Sequence, residues 1–251
     1  MPYCLLQTGA VAPTADQLKR AFKALKTLTE ADAIKLALEA CGILMKNRSL
    51  VDARVVQRVL QEEGAMTELV DVAEIPKLPE PKFVRRAEIL PQALAIFDTL
   101  GRVVPLPWEQ LTLVSAGTVR HFGVSATRTE ETVKTYDPIR GIRTRVVTDV
   151  RHKVQDDARL MLDMFLTGGA LRFQIEAESF QFKYCFDRPD LNVPQKLGLL
   201  IQMIAEHAPH AVMNRGAAAL RDEKLENAAY ASKAALFDES IWLLWRMAIK
   251  N

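Results

Sequence analysis

Cysteine is scarce in this chain, with three in 251 residues, and that excludes a disulfide-stapled scaffold. Charge of one sign is lacking too. Thirty-three Lys and Arg face 31 Asp and Glu, a net charge of +2, which gives no whole-protein reason to expect nucleic acid. Long apolar runs are missing. The most apolar windows, Leu197–Ala205 and Ile241–Ile249, are about half the roughly 18 residues a membrane helix needs. The opening Met1-Pro-Tyr-Cys-Leu-Leu-Gln-Thr has no basic stretch and no apolar core before a small-residue cleavage site, so it is not read as a signal peptide. No internal period of repeat length is present. What remains is 49% hydrophobic and 25% charged, the profile of a globular chain of one large domain or two small ones, expected to be cytoplasmic. Cys4, Cys41 and Cys185 sit in apolar pattern and read as reduced core residues.

Three prolines divide the chain. Pro76, Pro79 and Pro81 lack amide donors and bias the residues before them toward extended backbone. Residues 75–91 therefore read as a semi-rigid linker. Before it, Tyr3-Cys-Leu-Leu is apolar enough for a buried strand. Thr14 then caps a helix carrying Leu18, Phe22 and Leu25. Thr29 and Asp32 are spaced as a capping box for a second helix with Ala33, Leu36 and Ala37 on one face. Ile43-Leu44-Met45 fits a strand. Ser49 caps a third helix with Ala53, Val56, Val59 and Leu60, ending at Gly64, and Met66–Val72 closes the unit as a strand. The predicted order over 1–74 is β-α-α-β-α-β.

The runs Leu28-Thr-Glu-Ala-Asp-Ala-Ile-Lys-Leu, Ser49-Leu-Val-Asp-Ala-Arg-Val-Val and Leu60-Gln-Glu-Glu-Gly-Ala-Met-Thr-Glu-Leu carry a resemblance. Residues 3–72 resemble the C-terminal domain of the bacterial ribosomal stalk protein, which implies the same α+β fold. That family binds translation factors through a Gly-Leu-Gly-Leu-Lys stretch entering its second helix. Here the matching stretch is Thr27-Leu-Thr-Glu-Ala, without the glycines or the lysine, so recruitment of translation GTPases does not carry over.

From residue 92 the period changes to two. Ala93-Leu-Ala-Ile-Phe leads into Asp98-Thr-Leu-Gly101, with Asp first and Gly fourth as a type I turn prefers. Leu111-Thr-Leu-Val, Val146–Val150 and Leu160–Thr167 read as further strands. Leu171-Arg-Phe-Gln-Ile-Glu is expected to turn near Ala177–Ser179 into a partner strand, Phe180–Phe186, with Phe180, Phe182, Tyr184 and Phe186 on one face. A helix capped at Asn192 follows, with Leu197, Leu200, Ile201 and Ile204 as its stripe. Antiparallel β structure closed by one helix over 92–214, with the phrase Gly101-Arg-Val-Val-Pro-Leu-Pro-Trp-Glu-Gln-Leu-Thr-Leu-Val-Ser, resembles a bacterial pleckstrin-homology-like split barrel.

Chemistry-bearing motifs are few. There is no Gly-x-Ser-x-Gly elbow, Gly-rich phosphate loop, His-Glu-x-x-His or Cys-x-x-Cys. His207 and His210 are three apart, but Pro209 separates them and no third ligand is near, so no metal or other cofactor and no catalytic residue is assigned. Glu130-Glu131 and Asp156-Asp157 read as polar turns. One basic cluster stands out. Arg140, Arg143 and Arg145 precede Arg151 and Lys153, and Arg143 and Arg145 share a face in a strand, where they could grip a phosphate. No aromatic is interleaved to stack bases, which disfavours single-stranded nucleic acid.

Residues 215–251 read as a helical tail. Ala217–Ala235 has good helix propensity, and Asp238 is placed to cap Ile241–Ile249, where Trp242, Trp245 and Ile249 form a stripe. That stripe either docks on the chain itself or anchors a protein partner or second subunit. Only Arg246 and Lys250 support a membrane-surface role. The sequence therefore predicts an α+β protein of two small domains, a linker and a tail. Its expected function is non-catalytic interaction or scaffolding with a protein partner or by self-association. The alternatives are a phosphate-ligand binder using Arg140, Arg143 and Arg145, and an enzyme with a dispersed site.

Overall fold

The computed structural model describes residues 1–9, 11–98, 100–137 and 141–250, with side-chain detail for all of these except 120–157 and 250. It is an α+β structure whose first 74 residues follow the expected order: β1 Tyr3–Gln7, α1 Ala15–Lys23, α2 Glu30–Glu39, β2 Ile43–Arg48, α3 Leu50–Glu62 and β3 Thr67–Asp71. The caps explain where the helices begin. Thr14 with Gln17, and Thr29 with Asp32, form reciprocal capping boxes, and the Ser49 hydroxyl accepts from the Asp52 N–H. The strands pair antiparallel in the order β2-β1-β3. Successive residues of a strand point to opposite faces. Leu5 joins Leu18, Phe22, Val56 and Leu60 in the core under the helices, while Cys4 and Leu6 pack with Ile43 and Val70 on the other face. Both faces of β1 are thus covered, which accounts for its unbroken apolar run.

The later elements are β4 Lys82–Phe83, β5 Ala87–Ile89, β6 Ala93–Phe97, β7 Val103–Pro107, β8 Leu111–Asp137, β9 Gly141–Leu166, β10 Leu171–Glu176, α4 Val193–His207, β11 Val212–Met213, α5 Arg215–Arg221, β12 Ala229–Tyr230 and α6 Lys233–Lys250. The second sheet, the larger, runs β11-β8-β9-β10-β4, with β12 also on β8; a third is β5-β6-β7. Helix α4 closes their core, placing Leu197, Leu200, Ile201 and Ile204 against Trp108, Phe173 and Ile175. The Asp98 carboxylate accepts from the N–H groups of Leu100 and Arg102, and Gly101 N–H reaches the Asp98 carbonyl; Thr99 lies outside the described residues.

Several expectations are corrected. The linker region supplies two strands, and β4 runs parallel to β10 (Phe173 opposite Lys82) on the edge assigned to Phe180–Phe186. With that edge taken, Ala177–Ser179 and Phe182–Tyr184 coil into 3-10 turns. Phe180 and Phe182 meet edge to face, 4.9 Å between centroids. The β pairing is not purely antiparallel either, since β4, β11 and β12 all run parallel to their partners. Glu130-Glu131 and Asp156-Asp157 fall within β8 and β9, not in turns.

The tail is not one helix from Ala217. It breaks after α5, where Glu223 takes a positive φ of 59°, and β12 inserts Tyr230 beside β8. Ser232 stands just before α6 and its hydroxyl accepts from Ala235 N–H, so Asp238 lies inside the helix and not at its cap.

Residues 1–119 and 159–251 form one unit; Arg120–Ala158, made by the outer parts of β8 and β9, forms another. Strands of 27 and 26 residues far exceed the ordinary five or six. The described partners of β8 other than β9 reach no further than Val119, and those of β9 other than β8 begin at Met161. Among the described residues, no helix is long and apolar enough to cross a membrane.

Candidate functional site

Helix α6 lies between the first sheet and the larger second sheet, and its residues alternate between them at helical spacing. Toward the first sheet it sends Asp238, Trp242 and Trp245. Asp238 pairs with Lys46, and Trp242 Nε1–H donates to the Gln7 carbonyl at 2.7 Å. Both indoles pack on Cys4, Leu6, Ile43 and Val70 and are only 8% and 7% exposed. Toward the second sheet it sends Phe237, Ser240 and Leu244. The Ser240 and Ser115 hydroxyls lie 2.7 Å apart, Leu244 packs on Leu113 and Phe165, and the Phe237 ring covers the Arg172 guanidinium.

Of the stripe Trp242, Trp245 and Ile249, then, the tryptophans are placed inside the chain and only Ile249 is exposed, at 60%. Gly42 makes the close approach possible. Its φ is +70°, and a Cβ there would sit 2.5 Å from the Trp242 ring.

Arg140 lies outside the described residues. Arg143 and Arg145 fall in β9 within the Arg120–Ala158 unit, in the stretch whose side chains are not described. His207 turns its Nδ1 to the Met203 carbonyl at 2.8 Å and lays its ring on Trp108, while His210 is exposed. No group of three His, Cys, Asp or Glu residues is arranged to hold a metal among the described residues.

A polar cluster that sequence reasoning missed sits where α5, β12 and α6 meet the first module. Asn214, almost fully buried, caps α5 through Ala217 N–H at 2.8 Å and exchanges hydrogen bonds with the Ala116 backbone. Its Nδ2 also donates to the Tyr230 hydroxyl at 2.8 Å. That hydroxyl donates to Glu239 Oε2, and Glu239 Oε1 accepts from the Arg215 N–H at 3.1 Å. The Arg215 guanidinium stacks over the Tyr230 ring, 4.3 Å from its centroid, with Nη2 donating to the Ala229 carbonyl at 3.3 Å. Cys41 lines the same cavity as Arg215 and Glu239.

Burial pushes the Cys41 thiol up to about 12, and the Glu239 charge adds to the effect. Burial also pushes the Tyr230 phenol up, again with help from Glu239. Both groups keep their protons at neutral pH, so neither is poised as a nucleophile or a base.

Beside this cluster opens a cavity of about 400 Å³, lined among others by Pro13, Leu18, Leu38, Arg215, Glu239 and Trp242. Its walls come from segments some 200 residues apart, from Gln7 to Trp242, which explains why no local motif announced it. The only sequence signal was the cap chemistry of Asn214 before an Ala-rich run. No protein-family model, no curated protein and no solved structure matches the chain.

Proposed function

We propose that this is a non-catalytic interaction protein that engages a protein partner through the ribbon Arg120–Ala158. The observation that carries the reading is the length of β8 and β9 beyond the reach of their described neighbours at Val119 and Met161. A two-stranded ribbon alone is marginal in water, and its edges offer unpaired N–H and C=O groups to a further strand. The remainder of the chain serves as the platform, held by α6. The β-α-α-β-α-β order of the first module supports the likeness to a stalk-protein domain used for a new purpose, and the sheets closed by α4 are compatible with a split-barrel-like module.

The test replaces Arg120–Ala158 by Asn-Gly and compares partner recovery and self-association with the full chain. Loss of both in a variant that keeps its melting temperature is the expected result; an unchanged partner set and oligomeric state would remove the reading's support. A second reading, a grip on a phosphate-bearing ligand, is favoured by Arg143 and Arg145 falling in the same ribbon. It requires that Arg143→Ala with Arg145→Ala abolish salt-sensitive binding to anionic vesicles or to a nucleotide while protein partners are retained.

A further inference from the structure

We propose that the cavity between the first module and α6 is a binding site for a small monocarboxylate with an apolar chain, its carboxylate on Arg215. Three observations converge on that class of ligand. First, the guanidinium is half exposed and lines the cavity. Its neighbour Glu239 spends its oxygens on the Tyr230 hydroxyl and the Arg215 backbone N–H and stands 3.7 Å from Nε, beyond hydrogen-bonding length. Glu239 and the Ala229 carbonyl thus face the Nε and Nη2 side of the fork, braced by Tyr230, and Nη1, which makes no hydrogen bond among the described residues, is left to receive a second carboxylate.

Second, Glu239 limits the charge the site accepts. A fixed carboxylate so close raises the energy of a dianion such as phosphate more than that of a monoanion. Third, the rest of the lining is apolar or neutral: Pro13, Leu18, Leu38 and Leu44, the Trp242 indole, and the Cys41 thiol, which stays protonated. A volume of about 400 Å³ falls in the range of small-molecule sites, and Leu38, 62% exposed, stands at the rim with exposed Ala12. This site is independent of the ribbon.

The test titrates the full chain with hexanoate by calorimetry and by tryptophan fluorescence, with hexanamide and hexylamine as matched neutral and cationic probes. Hexanoate is expected to saturate one site, and hexanamide to bind at least tenfold more weakly, as loss of a charge-assisted hydrogen-bond pair implies. Arg215→Gln is expected to weaken hexanoate by a similar factor. Because that change touches the polar cluster, Ala12→Trp provides a second arm: it fills the rim from an exposed position and is expected to abolish binding with the melting temperature unchanged. Equal binding of hexanoate and hexanamide, unaltered hexanoate binding in either variant, or no saturation up to about 10 mM would overturn the proposal.

Discussion

Two sheet surfaces in this protein are treated in opposite ways. The face of β1, β2 and β3 turned away from its own helices is covered by α6, which lies more than 200 residues downstream of β1. The outer parts of β8 and β9 continue past the last described strand neighbour at each side. The contrast separates apolar pattern spent on stability from the extended structure on which the proposed function rests. The same comparison moves the expected partner surface away from Trp242 and Trp245 and toward the ribbon.

The sharpest way to break the comparison is to remove the cover. Ending the chain at Phe237 deletes Asp238, Trp242 and Trp245 together and is expected to unfold the first module, seen as loss of hydrogen-exchange protection at Cys4–Leu6. Replacing Arg120–Ala158 by Asn-Gly should leave that protection intact. If the truncated chain kept it, α6 would not be the cover. Next in size, Trp242→Ala should cost about 3–5 kcal/mol in denaturant unfolding, as for other buried aromatic truncations.

Asp163→Ala probes the second sheet at an ion pair whose Arg172 lies under Phe237 of α6. It would strand Arg172, which now donates two hydrogen bonds of 3.0 Å to that carboxylate in a fully buried pair. A loss of about 3–5 kcal/mol is expected, and Asp163→Asn should recover part of it. Gly42→Ala is milder, about 1–3 kcal/mol, because it adds both a clash with Trp242 and an L-residue at positive φ. A bulkier residue at Gly101, where a Cβ would meet nothing, carries only the φ penalty and serves as its control.

The last effect concerns alkaline pH and leaves stability at neutral pH unchanged. The Cys41 thiol titrates near 9 in the unfolded chain and near 12 when folded, so the folded state holds its proton more tightly. The resulting stability is fully present below pH 9 and is lost as pH rises toward 12. Cys41→Ala should flatten that part of the alkaline stability curve in urea titrations from pH 8 to 11. In the same range the native thiol should react with iodoacetamide far more slowly than in the unfolded chain.

Local chemistry made much of the first module legible. Thr14, Thr29 and Ser49 each stand at a helix start whose hydrogen bonds close within three residues, and such signals need no tertiary context. The run Cys4-Leu5-Leu6 does not alternate as a strand with one wet face would, and its reading as a buried strand agrees with the burial of all three residues. Elsewhere the pattern misled because long-range pairing decided the outcome. Phe180, Phe182 and Phe186 alternate like a strand, yet β4, arriving from the proline segment, occupies the edge they would have used. The cluster of Cys41, Asn214, Arg215, Tyr230 and Glu239 was invisible for a related reason. Its members are ordinary residues in four separate elements and connections, and only the seating of α6 brings them together.

The hydrogen bond from Trp242 to Gln7 joins residues 235 positions apart. Chains emerge from the ribosome N-terminus first, at about 5–20 residues per second. For something like ten to fifty seconds, then, β1 exists without the helix that shields Cys4 and Leu6. During that interval the nascent first module presents an apolar sheet face to solvent, to chaperones and to neighbouring nascent chains on the same message. Slowing synthesis between Gln7 and Trp242 would lengthen the exposure, and supplying residues 233–250 as a separate peptide would shorten it.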